Sequence, residues 1–270
     1  MPALHLSIPN YRGWVESPHY TSMILFAHQL GMRKRSFNWI APSYTIVSVA
    51  RQMAVNQALA DPECQILAFI DDDMTFTGQD FFALENQMID EDLDYITGLC
   101  FKNSIPTCPC IFGHADGEEE FNTKKPWWAF MTDYPKDQRF EIYASGLAFA
   151  LISRRCLEKI VAMDDGVWGD GLARFNSYSH FHMAHPLVHN EDLAFCLKAR
   201  QAGIKLWCDS RVKIGHIAKD RPIINEEIYK MHIGSVDYAM NTPRMMPVSE
   251  DMTWRVRPVH QPQPKLVEVA

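Results

Sequence analysis

The stretch that decides the fold runs from residue 65 to residue 73 and reads Gln65-Ile66-Leu67-Ala68-Phe69-Ile70-Asp71-Asp72-Asp73. Its first six residues are apolar apart from Gln65 and favour a β-strand, which stops at three consecutive aspartates. A strand that is apolar on both faces is typical of a parallel sheet covered by helices on both sides. The stretch therefore predicts a buried central strand with carboxylates at its carboxyl end.

Strand-like and helix-like segments alternate along the rest of the chain. The patterns predict strands at residues 5–9, 37–40, 95–99, 143–153 (broken by Gly146) and 204–208. They predict helices at residues 17–30 (closed by Gly31), 43–60, 81–89, 156–163 and 192–202 (closed by Gly203). This alternation predicts an α/β fold, a single doubly wound α/β/α domain with a mostly parallel central sheet. Five prolines after residue 242 remove any periodicity, so we expect an extended Pro-rich tail at residues 242–270.

Composition sets the class of protein. The chain has 270 residues, of which 47% are hydrophobic, and this suits a globular core. It contains no apolar run near the roughly 20 residues of a membrane span and no basic, apolar leader, so we expect a cytoplasmic protein. Its seven scattered cysteines suit a reducing compartment and are interpreted as structural, since the Cys108-Pro109-Cys110 spacing is not that of a zinc site.

Charge is distributed unevenly along the first third of the chain. Residues 1–60 carry five basic side chains and one acid, whereas residues 61–94 carry eleven acids and no Lys or Arg. A site built in the acidic segment would meet a polyphosphate only through a cation. The net charge of −7 also argues against a protein coated in phosphate-binding basic residues.

The aspartate triplet is the first candidate site. Ligands of open α/β sheets lie outside the carboxyl ends of strands, and alternation points Asp71 and Asp73 in the same direction. Their oxygens suit one hard divalent cation such as Mn²⁺ or Mg²⁺. The alternative is a solvated acidic loop. Mutual repulsion of three adjacent carboxylates favours the metal.

Two further motifs carry candidate side chains. Glu191 and Asp192 open a predicted helix, where acids in the first turn are ordinary capping chemistry, but a carboxylate there could also deprotonate an acceptor hydroxyl. His216 could complete a carboxylate-rich metal site, and Lys219 could balance phosphate charge. Four histidines at residues 180–189 lack the spacing of a zinc site, and the aromatic residues at 127–130 are by default core.

The order of these motifs resembles that of the GT-A glycosyltransferase superfamily, particularly the family-two-like enzymes of bacteria and phages. The resemblance covers roughly residues 3–220 and rests on a Leu-Ser-Ile-Pro strand ending at Pro9 and on five later segments. Those segments are Val49-Ala-Arg-Gln-Met-Ala-Val55, Leu67-Ala-Phe-Ile-Asp-Asp-Asp-Met74, Ala144-Ser-Gly-Leu-Ala-Phe149, Asn190-Glu-Asp-Leu-Ala-Phe195 and Gly215-His216.

The resemblance implies a role for each matching residue. Asp71 and Asp73 match the metal-binding D-x-D motif, with Asp72 as a possible substitute for either, and His216 matches a late metal ligand. Asp192 matches the carboxylate base of inverting members, and Glu191 beside it is a second catalytic candidate. The donor-side residues are the nucleobase loop (Pro9, Asn10, Arg12), the phosphate-contacting Arg51 and the sugar-lining Gly146.

The implied function is transfer of a sugar from a nucleoside-diphosphate sugar, expected to be UDP-linked, to an acceptor hydroxyl. The nucleotide half would span about residues 1–100 and the acceptor half 101–241. One candidate acceptor is a hydroxymethylated pyrimidine in phage DNA, although the net acidity opposes it. Two alternatives stay open: a Mg²⁺-dependent nucleotidyltransferase or phosphohydrolase, and a catalytically silent nucleotide-sugar-binding protein.

Overall fold

A computed structural model describes residues 3–10, 13–43, 47–103, 107–114, 128–162, 191–218, 223–233, 244–247 and 254–257. Its centre is a seven-stranded sheet in the order β2-β1-β3-β10-β5-β11-β8. These strands are β1 (Ala3–Ser7), β2 (Phe37–Ile40), β3 (Cys64–Ile70), β5 (Tyr95–Leu99), β8 (Arg139–Ile142), β10 (Phe149–Ser153) and β11 (Leu206–Lys213). Only β8 and β10 run opposite to the other five. The predicted α/β class with a mostly parallel sheet is confirmed.

Helices cover both faces of this sheet. The described helices are α1 (Ser17–Met32), α2 (Val47–Ala60), α3 (Gly78–Asp90), α4 (Arg154–Ala162), α5 (Glu191–Gln201) and α6 (Glu226–Ile233). Along β3, Ile66, Ala68 and Ile70 pack into a core with α1 and α3. Leu67 and Phe69 point the other way, into a core with α2, α4 and α5. The apolar run of β3 is therefore buried on both faces, which is what its sequence predicts.

The remaining strands form three small sheets beside the central one. β4 (Met74–Thr75) pairs with β12 (Gly215–His216), and β6 (Ile111–His114) lies between β7 (Trp128–Phe130) and β9 (Ala144–Ser145). β13 (Arg244–Pro247) pairs with β14 (Trp254–Arg257) inside the segment expected to be an extended tail. Pro247 sits at the end of its strand, where a missing N–H is tolerated.

One local prediction is confirmed and another needs correction. The strand expected at residues 143–153 is interrupted at Gly146, as the sequence predicted, and its two parts, β9 and β10, belong to different sheets. Helix α1 does not end at Gly31 but runs to Met32, and Lys34 takes the left-handed conformation with φ of 51°. The position of this turn is fixed by the next residue, because the Arg35 guanidinium forms a buried ion pair with Glu85 at 2.5 Å. Helix α5, in contrast, is followed by Gly203 with φ of 75°, as expected of a residue that closes a helix.

All seven cysteines are free thiols, and every one except the half-buried Cys110 is buried. Within the described ranges, no helix is both long and apolar enough to cross a membrane.

Candidate functional site

The aspartate triplet lies in a turn at the carboxyl end of β3. The Asp71 N–H donates to the Ala148 carbonyl at 2.9 Å, and the Met74 N–H donates back to the Asp71 carbonyl at 3.1 Å. The side chains of Asp71 and Asp73 are 27% and 30% exposed, so solvent or a ligand reaches both. Two half-exposed carboxylates thus stand on a backbone that is fixed by hydrogen bonds.

The pairing of β4 with β12 brings His216 to this turn from far along the chain. His216 lies opposite Met74, and the Ile217 N–H donates to the Asp73 carbonyl at 2.8 Å. The two strands approach so closely that a Cβ at Gly215 would lie 2.2 Å from the Thr75 hydroxyl oxygen. Glycine at this position is therefore what lets the neighbouring histidine reach the aspartates.

The ring of His216 is held at both nitrogens. Nδ1 lies 2.7 Å from the Phe101 carbonyl, and Nε2 lies 3.1 Å from Asp73 Oδ2. Because a carbonyl accepts, Nδ1 carries a proton and Nε2 faces the carboxylate. Burial opposes a charged ring, but the hydrogen bond and charge of Asp73 outweigh it and raise the pKa of His216. This orientation, with Nδ1 bound to the backbone and Nε2 beside a carboxylate, is the one common among metal-ligating histidines.

Arg51 connects the aspartate turn to the start of α5. Its Nη2 donates to both oxygens of Asp71 at 2.9 and 3.2 Å, and its Nη1 donates to Glu191 at 2.8 Å and to Asp192. The side chain is 1% exposed. Burial works against the charge of the guanidinium, but the carboxylates of Asp71 and Glu191 raise the pKa of Arg51. In this arrangement Arg51 binds carboxylates, whereas the resemblance implied a contact with phosphates.

Gly146 and Cys110 form the wall beside Asp192. The Gly146 N–H donates to the Cys110 carbonyl at 2.9 Å, and a Cβ at Gly146 would lie 3.6 Å from Cys110 Cβ and 3.7 Å from Asp192 Oδ2. Burial raises the pKa of the Cys110 thiol, which therefore stays neutral next to the carboxylates. Cys110 was interpreted from the sequence as a structural cysteine, and no local pattern placed it beside Asp192.

A mostly apolar cavity of about 330 Å³ opens between α1 and the ends of β1 and β2. Six of the residues that line it are Ile8, Asn10, His19, Tyr20, Met23 and Trp39. The side chain of Asn10 accepts a hydrogen bond from the Gly13 N–H at 2.6 Å and so shapes the loop after buried Pro9.

His19 joins this cavity to the aspartate turn and was also missed by sequence reasoning. It is 1% exposed, its Nδ1 lies 2.9 Å from the Met74 carbonyl, and burial lowers its pKa despite the nearby Asp73 and Asp71. Histidine at a helical position carries no pattern of its own, so only the tertiary structure identifies it.

The donor chemistry of the aspartate turn fits a hard or borderline divalent cation. Asp71, Asp73 and His216 supply carboxylate oxygen and imidazole nitrogen, the ligands that Mn²⁺ accepts. Across the part of the chain that the structure describes, no three such groups already converge as a finished metal cage. Asp71 is turned towards Arg51 and Asp73 towards His216. A cation would therefore replace part of these contacts.

Several predicted residues lie outside the described ranges. They are Arg12, Lys219, the histidines at residues 180–189 and the basic and aromatic residues at 124–127. Asp72 is described and half-buried in the turn between the two candidate ligands. The contacts bring seven described candidates together in one cluster at the carboxyl edge of the sheet, called the crevice below: Asp71, Asp73, His216, Arg51, Gly146, Glu191 and Asp192.

Comparison with solved structures finds similar folds. A197 from STIV is 20% identical, with a TM-score of 0.51, and the match covers 84% of this chain and 91% of that one. A structure of GalNAc-T7 with UDP, GalNAc and Mn²⁺ is 14% identical, with a TM-score of 0.46, and the match covers 82% of this chain and 45% of that one. At 20% identity the likeness to A197 shows a shared fold alone. Neither a protein-family model nor a curated protein matches the sequence.

Proposed function

We propose that the chain is a metal-dependent glycosyltransferase that moves a sugar from a nucleoside-diphosphate sugar, UDP-linked, to an acceptor hydroxyl. The proposal rests on one observation: two separate groups of carboxylates lie at the same crevice. One group consists of Asp71 and Asp73 with His216, and the other consists of Glu191 and Asp192, with Gly146 beside Asp192. A glycosyltransferase of this kind needs one group of residues to hold the metal and the diphosphate and another to act as general base, both within one site.

Asp71, Asp73 and His216 would hold Mn²⁺ or Mg²⁺. When bound, such a cation acts as a Lewis acid that stabilises the negative charge developing on the leaving nucleoside diphosphate. The protein contributes the orientation: the turn after β3 fixes the carboxylates, and the Phe101 carbonyl fixes the tautomer of His216. The acidic segment around them has no Lys or Arg from residue 61 to residue 94, so a cation is the natural partner for a diphosphate there.

Asp192 would accept the proton of the acceptor hydroxyl, with Glu191 as the neighbouring carboxylate. Its position in the first turn of α5 gives it a rigid backbone, and Arg51 holds its oxygen. A base on the side of the crevice opposite the leaving group favours inversion at the anomeric carbon.

The cavity beside Asn10 and His19 is the proposed place of the nucleobase. It is largely apolar, as a flat aromatic ring requires, and His19 links it to the aspartate turn through Met74. Asn10 and Pro9 belong to the loop that the sequence resemblance associates with the base. For the acceptor, the net charge of −7 favours a small or uncharged molecule over DNA.

A donor screen tests the proposal. Purified protein is incubated with UDP-, GDP- and other nucleotide sugars, with Mn²⁺ or with EDTA, and released nucleotides are identified by chromatography. We expect release of a nucleoside diphosphate from one donor, dependent on Mn²⁺ and stimulated by a hydroxyl acceptor. Release of a nucleoside monophosphate with sugar phosphate would identify a phosphohydrolase instead. Binding without release would identify a silent binding protein.

A further inference from the structure

Arg51 contacts both carboxylate groups of the crevice. It comes from α2, yet its guanidinium reaches Asp71 at the end of β3 and Glu191 and Asp192 at the start of α5. These contacts span 20, 140 and 141 residues of sequence. Three separate elements are therefore fixed relative to one another by one buried cation.

Both terminal nitrogens of Arg51 are committed to these carboxylates, and its buried Nε has no hydrogen-bond partner among the described residues. Nη1 serves Glu191 and Asp192, Nη2 serves both oxygens of Asp71, and the side chain is 1% exposed. A phosphate could bind the terminal nitrogens of Arg51 only if these half-buried carboxylates gave up their partner, which would leave them uncompensated. One guanidinium among three carboxylates also leaves a net negative charge, so its presence is compatible with a divalent cation at Asp71.

We propose that Arg51 is a positioning residue that holds Asp192 in the orientation of a base and fixes its place relative to the metal-side Asp71. This inference rests on the proposed function. Arg51 acts through Asp192, and it does not bind the donor. The planar guanidinium is essential to this role, because one terminal nitrogen contacts Asp192 and the other contacts Asp71.

Lysine is the informative substitution. Arg51→Lys keeps the positive charge but replaces the planar guanidinium with a single ammonium group. That group cannot hydrogen-bond to Asp71 and Asp192 at the same time. We expect kcat to fall by roughly 10²-fold while the donor KM changes by less than about threefold, because only the orientation of the base is lost. In an Asp192→Asn background, where no base remains to be oriented, the same Arg51→Lys change should cost less than about threefold in kcat.

The control is Arg35→Lys. Arg35, like Arg51, is a buried arginine in an ion pair: it pairs with Glu85, with both side chains 4% exposed, on the opposite face of the sheet. The Arg35→Lys substitution should lower the melting temperature, as Arg51→Lys does, but leave kcat per folded molecule unchanged. If Arg51→Lys does not fold by circular dichroism, Arg51→Gln, which keeps a planar amide donor, goes through the same cycle.

The experiment is a kinetic double-mutant cycle on UDP release from the donor identified with Mn²⁺. Loss of kcat by Arg51→Lys in the wild-type background but not in Asp192→Asn supports the proposal. Equal losses in both backgrounds, or a raised donor KM with unchanged kcat, would overturn it and make Arg51 a donor ligand. A wild-type protein that releases no nucleotide removes the proposed function and this inference together, whereas active wild type with equal losses removes only the role of Arg51.

Discussion

Single side chains in the crevice are held in pairs that join distant parts of the sequence. Asp73 meets His216 across 143 residues, and Asp71 meets Arg51 across 20. Each pair places a positive or ionisable group against a carboxylate. The chemistry of the site therefore depends on these partners as much as on the candidate ligands themselves.

Asp192→Asn separates a catalytic from a capping role for this residue. The asparagine keeps shape and hydrogen bonding but cannot accept a proton, so turnover should fall by roughly 10²–10⁴-fold. Donor affinity should stay near that of wild type, since the cation and diphosphate are held on the other side of the crevice. Steady-state kinetics and donor titration check both. Turnover near the wild-type value would leave Asp192 as a helix-start residue only.

The raised pKa of His216 predicts a pH-dependent affinity for Mn²⁺. In the metal-free protein the contact with Asp73 favours the protonated ring, so its stabilising effect is present below the ordinary pKa of histidine and is lost as pH rises through the raised one. A cation needs the unprotonated Nε2, so Mn²⁺ affinity should fall as pH drops through the raised pKa. Titration of Mn²⁺ followed by electron paramagnetic resonance measures this.

The variant His216→Ala should bind Mn²⁺ more weakly at high pH and lose most of the pH dependence, because the imidazole that takes up the proton is gone. Its affinity should still exceed that of Asp73→Ala, which loses a charged ligand. An unchanged pH profile in His216→Ala would mean that the histidine is structural.

The residues of the site were predictable from sequence only where they stood in a motif. Asp71 and Asp73 follow an apolar strand, and Asp192 begins a helix, so each has a local signal. His19 and Cys110 have none. Their place in the crevice depends on long-range pairing, namely the contact of α1 with Met74 and the hydrogen bond between Cys110 and Gly146.

Among the elements, the short connections build the crevice. β4 and β12 have two residues each, too few to produce a period-two pattern, yet their pairing carries His216 to Asp73. The longer elements β3, α3 and β5 were predicted because their apolar residues are buried where the pattern requires. Single-sequence patterns thus predict the framework and miss the two-residue strands that complete the site.

Alanine substitutions at two glycines that border secondary-structure elements should have opposite effects on activity and stability. Gly146 ends β9, and an added methyl would make only ordinary contacts with Cys110 and Asp192, at 3.6 and 3.7 Å. Gly146→Ala should therefore change the free energy of unfolding by less than about 0.5 kcal/mol. The methyl narrows the crevice beside Asp192, however, so kcat/KM for the acceptor should fall by about tenfold. Chemical denaturation and kinetics on the same preparation measure both quantities.

Gly203→Ala is the control, which should lower stability but leave activity unchanged. Gly203 follows α5 with φ of 75° and has open space around its Cα, so alanine there costs about 1 kcal/mol of backbone strain without a steric clash. It lies at the end of α5 away from Asp192, and kcat should be unchanged. Full activity in Gly146→Ala, in contrast, would show that the acceptor does not pass beside Gly146 and Cys110.

For the whole molecule, the sheet places both halves of the site at one edge. Five of seven strands share a direction, so the ends of β1, β2 and β3 open on the same side as the candidate nucleobase cavity and the aspartate turn. The sequence predicted this architecture because burial on both faces of β3 leaves few alternatives. It did not predict the antiparallel β8 and β10 or the β13–β14 pair, whose partners lie far away along the chain.

The central claim is that the aspartate turn binds a nucleoside diphosphate through a divalent cation. Calorimetric titration of UDP into the protein with Mn²⁺ or with EDTA, for wild type, Asp73→Ala and the control Asp61→Ala, tests it most directly. Asp61 precedes β3 at the opposite edge of the sheet and pairs with His5. We predict binding that requires Mn²⁺ in wild type and Asp61→Ala, and at least a tenfold loss of affinity in Asp73→Ala with its circular dichroism unchanged. Equal UDP affinity in EDTA, or in Asp73→Ala, would contradict the account.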